Sequence, residues 1–220
     1  HRMMTHAMLT GKTREHLVPI GEAHSLQPAA LTAFTGLQQA AARDGFQLQP
    51  ASATSGIKNS TASARCWIKT ASRWCQQRFP WRNAVPRYCA GLPCRAPAAS
   101  RHHWGTELDI YDPSRQPQGA RLQLEPWEYE AGGYFAELND WLTAHMVQFD
   151  FYRPFTHDRG GVAVEPWHIS YQPLSRLAAQ QLTPEVILET WQHEDIAGDT
   201  WLRLHLPDIF SRFIMNIDED

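Results

Sequence analysis

The sequence lacks any run of about 20 apolar residues, so it offers no helical membrane span. It lacks a C-x-x-C pair as well. Its four cysteines, Cys66, Cys75, Cys89 and Cys94, therefore read as free thiols of a reducing compartment rather than a structural zinc knuckle. Charge of one sign is not in excess: the formal net charge of −3 gives no whole-chain case for nucleic acid or an anionic membrane surface. The segment from His1 to His16 has no apolar h-region. That predicts a cytoplasmic chain, or a periplasmic or cell-envelope one if an export signal has been removed. No internal repeat and no linker interrupts the 220 residues, which predicts a single domain over 1–220. With 43% hydrophobic and 20% charged residues, composition is globular and the chain is long enough to bury a sizeable core.

Patterning predicts mixed elements. Leu26 to Gly45 reads as a helix, with Pro28 in its first turn, Leu31, Phe34, Leu37 and Ala41 as an apolar stripe, and Gly45 at the C-terminal cap. Phe46 to Ala53 alternates as a half-buried strand does. Trp104 to Tyr111 reads as a second strand, with Glu107, Asp109 and Tyr111 facing away from Leu108 and Ile110. Tyr134 to Met146 reads as a helix edged by His145, Val162 to Tyr171 as a strand, and Thr183 as the N-cap of a helix through Trp191. A short helix is expected over Leu206 to Met215. Without a regular βαβ repeat, the expected fold class is α+β, with a small, largely antiparallel sheet flanked by helices.

Two segments carry chemistry-bearing residues. Ser100-Arg-His-His-Trp-Gly-Thr-Glu-Leu-Asp109 places imidazoles before a glycine and a carboxylate on the following strand. Glu165-Pro-Trp-His168 adds a carboxylate and an imidazole, and Pro166 argues against a helical H-E-x-x-H arrangement. Two neutral imidazoles and one carboxylate suit a catalytic zinc with its fourth position left to water. Such a site acidifies water and polarises a carbonyl, and a nearby carboxylate, for which Glu165 is the candidate, can move the proton. Glu125-Pro-Trp127 repeats the first three letters of the second segment but continues with Glu128 instead of a histidine, so that copy reads as structural.

The pattern Ser-x-His-x-x-Gly-x-x-x-Asp followed by Glu-x-x-His resembles the VanY-like D-alanyl-D-alanine carboxypeptidases. These are zinc peptidases of a group that includes D-Ala-D-Ala dipeptidases and has Hedgehog signalling domains as structural relatives. The resemblance extends to Leu9-Thr-Gly11, the helix from Pro28 to Gly45, Ser55-Gly56, Ser100 to Pro113, Gly160-Gly161 and Glu165 to Tyr171. It implies a Hedgehog/D,D-peptidase-like sheet carrying one Zn2+ on His102, Asp109 and His168, with Glu165 as the catalytic base and His103 beside the ligands in a supporting role. It also implies a substrate: a peptidoglycan stem peptide or muropeptide that loses a terminal D-amino acid by D,D- or L,D-cleavage. A substrate ending in a carboxylate wants a cation. Relatives usually show Ser-Gly-Phe-Arg where this chain has Ser55-Gly56-Ile57-Lys58, so Lys58 keeps the charge without the bidentate fork. Ser100 and Arg153 are further substrate-binding candidates, although Arg153 reads first as a surface arginine. Position 107 is often small in relatives; Glu107 here reads as a solvated strand residue. The alternative reading is a non-catalytic, zinc-containing muropeptide-binding module, or an inactive homologue with a damaged reading frame.

Residues 60–99 stand apart. They hold seven Arg or Lys, no Asp or Glu, all four cysteines and three of the nine tryptophans. A basic surface insertion and a patch for acidic wall polymers or nucleic acid are two readings. The third is translation out of frame: Ser60–Ser63, Ala64–Thr70 and Arg87–Arg95 can all be encoded by DNA that gives family-like residues in one shifted frame. This predicts compensating frame changes near Asn59 and near Pro97. Resequencing the gene checks it, and an uninterrupted frame with no insertion or deletion relative to close homologues would contradict it.

Overall fold

The structure is a computed structural model and describes residues 3–21, 24–51, 101–157, 164–192, 204, 206–207, 210–211 and 217–218. Lys58, Ser100 and the 60–99 segment lie outside the described residues, as does most of the helix expected over 206–215.

In chain order the elements are α1 (His6–Thr10), β1 (Val18–Ile20), β2 (His24–Leu26), α2 (Pro28–Arg43), β3 (Gln49–Pro50), β4 (Glu107–Tyr111), α3 (Ala136–His145), β5 (Phe151–Tyr152), β6 (His168–Tyr171), α4 (Gln172–Gln181) and α5 (Pro184–Trp191). The strands form a two-stranded sheet, β1-β2, and a four-stranded sheet ordered β3-β4-β6-β5. Every pairing is antiparallel. The α+β expectation is therefore met. Among the described residues no helix is long and apolar enough to cross a membrane.

The core lies on one face of the larger sheet. Leu108 and Ile110 of β4 and Ile169 of β6 meet Phe34, Leu37 and Ala41 from the predicted stripe of α2, together with Phe135, Leu138 and Leu142 around α3. These side chains are fully buried, and the larger ones are each worth about 1.5–3 kcal/mol relative to exposure. Helix α2 begins at Pro28, where the missing N–H costs nothing, and stops at Asp44, with Gly45 following at φ +88°. Leu26 belongs to β2 rather than to the helix, paired with Val18. Thr183 caps α5 as expected, accepting from the Val186 N–H at 3.3 Å.

The strands are shorter than alternation suggested. Of Phe46 to Ala53, only Gln49 and Pro50 pair in a ladder. Side chains take the neighbouring backbone groups: Gln38 Nε2 donates to the Leu48 carbonyl at 3.0 Å, and Asp112 Oδ2 accepts from the Gln47 N–H at 3.1 Å. Helix α3 ends at His145, whose ring packs on Trp141 at 4.7 Å.

Between the helices and β4 the chain turns on Gly105. Its φ of +73° lies in the left-handed region. Its carbonyl accepts from the Gln27 N–H at 2.8 Å, while Gln27 Nε2 donates to the Trp104 carbonyl at 2.7 Å. The start of α2 is thereby fastened to the turn that carries His102. A Cβ on residue 105 would collide with Leu17 Cδ2 and lie 2.9 Å from the Gln27 nitrogen. Gly105→Ala is expected to lower stability by about 2–4 kcal/mol through combined left-handed strain and overpacking. Chemical denaturation checks this, and an unchanged midpoint would contradict it.

Candidate metal centre

The cross-strand register of β4 and β6 builds the site. Asp109 pairs with His168, Leu108 with Ile169 and Glu107 with Ser170. Directly opposed residues share a face. Leu108 and Ile169 therefore enter the core together, and Asp109 and His168 emerge together on the other side. His102 reaches the same point from a 3-10 turn over Arg101–Trp104 that is anchored by the fully buried Trp104. Its Nε2 lies 3.8 Å from Asp109 Oδ1, and His168 Nδ1 lies 4.0 Å from the same oxygen. One ligand atom each from His102, Asp109 and His168 falls within 4.8 Å of the others. The two imidazole rings are 5.1 Å apart, and the ring of His24 from β2 stacks on His102 at 5.5 Å.

Glu165 stands beside this group. Pro166 and Trp167 form a turn instead of a helix, as Pro166 required, and this turn returns the Glu165 side chain towards His168. The Glu165 carboxylate is 3.0 Å from His168 Nδ1, and its N–H donates to the Phe155 carbonyl at 2.9 Å. Phe155 meets the His168 ring edge-on at 5.1 Å. The Phe155 loop is held in turn from the end of the chain: the Asp218 N–H donates to the Pro154 carbonyl at 2.8 Å, and its carboxylate accepts from the Thr156 N–H at 2.7 Å.

The electrostatics favour a cation. Burial opposes charge on His168, but hydrogen bonds and attraction from Glu107 and Glu165 prevail and push its imidazole up to about 10. Two carboxylates, Glu107 and Glu165, thus face one imidazole of the cluster at 3.0 Å each. Two imidazoles, one carboxylate and a further carboxylate at the edge match zinc's preference for nitrogen and oxygen donors. The residues present thus fit the metal.

Sequence reasoning missed the support beneath His168. Glu107 is buried, not solvated, at 1% exposure. Its Oε1 accepts from Arg101 Nε at 2.6 Å and from His168 Nε2 at 3.0 Å, and its Oε2 accepts from Thr106 Oγ1 at 2.6 Å. Burial would raise the Glu107 carboxyl, but the adjacent guanidinium and imidazole hold it well below the ordinary carboxylate range. Arg101 also donates from Nη2 to Tyr152 Oη and Ser170 Oγ, both at 3.1 Å, and lies 4.7 Å over the Trp104 ring. The available signal was that Glu107 faces the same way as Asp109 and lies six residues from an arginine.

Arg153 is not a surface residue. It is 8% exposed and ties three points together: Nε donates to the Pro166 carbonyl at 3.1 Å, Nη1 to Thr143 Oγ1 at 2.9 Å and Nη2 to the Asn139 carbonyl at 3.0 Å. Burial draws its pKa down to about 10, against the raising influence of Asp140. His103 is set off from the cluster, with its ring under Gly11 and its carbonyl 2.8 Å from His16 Nε2. The Glu125-Pro-Trp copy differs in role: it forms a 3-10 turn in which buried Glu128 accepts from the Glu125 N–H at 2.9 Å and the Gln123 N–H at 3.2 Å.

Known proteins resemble this chain at several depths. The family model VanY, D-alanyl-D-alanine carboxypeptidase, matches residues 23–174. An uncharacterized protein of Haemophilus influenzae (strain Rd) is 53% identical over 120 residues, covering 54% of this chain and 92% of that protein. A second from the same strain is 56% identical over 47 residues, covering 20% of this chain and 32% of that protein. Among solved structures, VanYB in complex with D-alanine-D-alanine is 16% identical at a TM-score of 0.42, covering 83% of this chain and 93% of that one. A Zn(II) complex of a variant of the vancomycin resistance D,D-pentapeptidase VanY is 17% identical at 0.42, covering 80% and 92%. The LD-carboxypeptidase LdcB is 17% identical at 0.42, covering 80% and 78%. The family model, not these distant structural likenesses, carries the assignment.

Replacing Arg153 with methionine is expected to destabilise the fold by about 2–4 kcal/mol, since charged hydrogen bonds are lost and the Asn139 and Pro166 carbonyls stay buried. Thermal unfolding and steady-state kinetics check it together. A raised KM at unchanged thermal midpoint would instead return Arg153 to substrate binding.

Proposed function

Because the chain belongs to the VanY D-alanyl-D-alanine carboxypeptidase family, we propose that it is a zinc metallocarboxypeptidase that removes a terminal D-amino acid from peptidoglycan stem peptides. The convergence of His102, Asp109 and His168 beside Glu165 carries this reading. His102, Asp109 and His168 would hold one zinc ion. When bound, zinc supplies a Lewis acid that acidifies water and polarises the scissile carbonyl.

The chain's own residues do the rest. Glu165, buried at the edge of the cluster, takes the proton from the attacking water and delivers it to the leaving amine nitrogen as the peptide C–N bond breaks. The Pro166-Trp167 turn and the Phe155 carbonyl fix where that carboxylate sits. The half-exposed side of the site is the His102 side; Asp109, His168 and Glu165 are buried. Substrate therefore approaches past His102, and the buried groups keep the reacting bond away from bulk water. The cation that meets the substrate's terminal carboxylate remains a role for Lys58, since the guanidinium of Arg153 is spent on protein acceptors.

Glu165→Gln is expected to retain one zinc per chain and to lose about 10²–10⁴-fold in kcat. Mass-spectrometric assay of stem peptides checks it. Release of D-Ala from pentapeptide identifies D,D-cleavage and release from tetrapeptide identifies L,D-cleavage. Zinc uptake with tight muropeptide binding but no cleavage of either peptide would contradict the enzyme reading in favour of a binding module.

A further inference from the structure

We infer that Glu107 is a positioning residue: clamped by Arg101, it holds the Nε2–H of His168 so that Nδ1 is the nitrogen offered to the metal. The inference rests on the metal-centre reading above and deepens it.

The sheet itself lays out the arrangement. Glu107 of β4 pairs with Ser170 of β6, and Ser170 pairs with Tyr152 of β5, so the three stand in one row across the sheet. The Asp109–His168 pair lies two positions further along β4 and β6 on the same face. Arg101 lies along the first row and donates to all three of its members, from Nε to Glu107 and from Nη2 to Ser170 and Tyr152. With Arg101 Nε on Oε1 and Thr106 Oγ1 on Oε2, both oxygens of the Glu107 carboxylate are held and it cannot rotate without giving up a buried partner. Its remaining contact is His168 Nε2 at 3.0 Å, whereas the nitrogen that approaches Asp109 is Nδ1.

Both ring nitrogens of His168 lie 3.0 Å from a buried carboxylate, but only Nδ1 also faces Asp109, at 4.0 Å. A proton kept at Nε2 by the clamped Glu107 leaves Nδ1 as the nitrogen free to coordinate beside Asp109. Glu107 does not itself join the ligand group, because its oxygens are already committed. The positive charge of Arg101 balances it, so the support adds orientation without adding net charge beneath the metal. Carboxylates behind a ligating histidine fix its tautomer and ring orientation, and their loss commonly weakens metal binding about 10- to 100-fold.

Two measurements on the full chain test this. Competition against a chromophoric chelator gives zinc affinity for the wild type, for Glu107→Ala, and for the double variant Arg101→Met/Glu107→Leu. The double variant removes both charges together, so no unpaired buried ion remains to unfold it. Both variants are expected to bind zinc about 10- to 100-fold more weakly, with the double variant retaining its circular dichroism and thermal midpoint. Long-range ¹H–¹⁵N spectra of the zinc-loaded wild type, which need no variant, are expected to show His168 protonated at Nε2. Wild-type affinity in the folded double variant, or a zinc-loaded His168 protonated at Nδ1, would overturn the positioning role alone. A wild-type chain that takes up no zinc would overturn the metal-centre reading and this inference with it.

Discussion

The pairing of β4 with β6 is the constraint on which the rest depends. Its register sets Leu108 against Ile169 on the core side and Asp109 against His168 on the other. A strand alternates faces with a period of two, so a slip of one residue in either strand would turn that strand's carboxylate or imidazole into the hydrophobic core and its aliphatic side chain out of it. The burial energy that fixes the fold and the geometry that creates the site are thus the same fact. The sheet cannot relax its register to accommodate a ligand without exposing Leu108 and Ile169, both fully buried.

Around that pairing, polar side chains are buried and bonded to one another. Glu107, Arg101, Ser170 and Tyr152 form one connected group beneath His168, and Arg153 joins α3 to the turn that presents Glu165. Buried charges of this kind add little net stability compared with apolar packing, but removing one partner is costly because the other is stranded. Their value here is orientation. A metal-ligating imidazole and a proton-carrying carboxylate work only when held within narrow limits, and rotatable side chains on a four-residue strand would not hold them unaided.

Much of this was legible in the sequence. The order and spacing of His102, Asp109, Glu165 and His168 were visible because each sits where local geometry is stiff: a glycine turn, a strand and a proline turn. The α2 stripe was equally clear, since apolar residues spaced three and four apart at Leu31, Phe34, Leu37 and Ala41 line one face of a helix and would scatter over both faces of a strand. The roles of Glu107 and Arg153 were not legible. Alternation says that Glu107 shares a face with Asp109, but not that Arg101 folds back to cover that face. Nothing in the residues around Arg153 announces that the Pro166 and Asn139 carbonyls converge on it. Strand lengths were overestimated near β3 because Gln38 and Asp112, distant in sequence, take backbone partners that a ladder would otherwise use.

On the proposed reading, His102, Asp109 and His168 form one metal centre across the β4–β6 pair. Elemental analysis of the purified chain after equilibration with zinc tests it most directly, alongside Asp109→Ala and His168→Ala variants shown by circular dichroism to be folded. One zinc per wild-type chain and a near-complete loss in both variants are expected. Full zinc occupancy in either folded variant, or a wild-type chain that binds none, would contradict it.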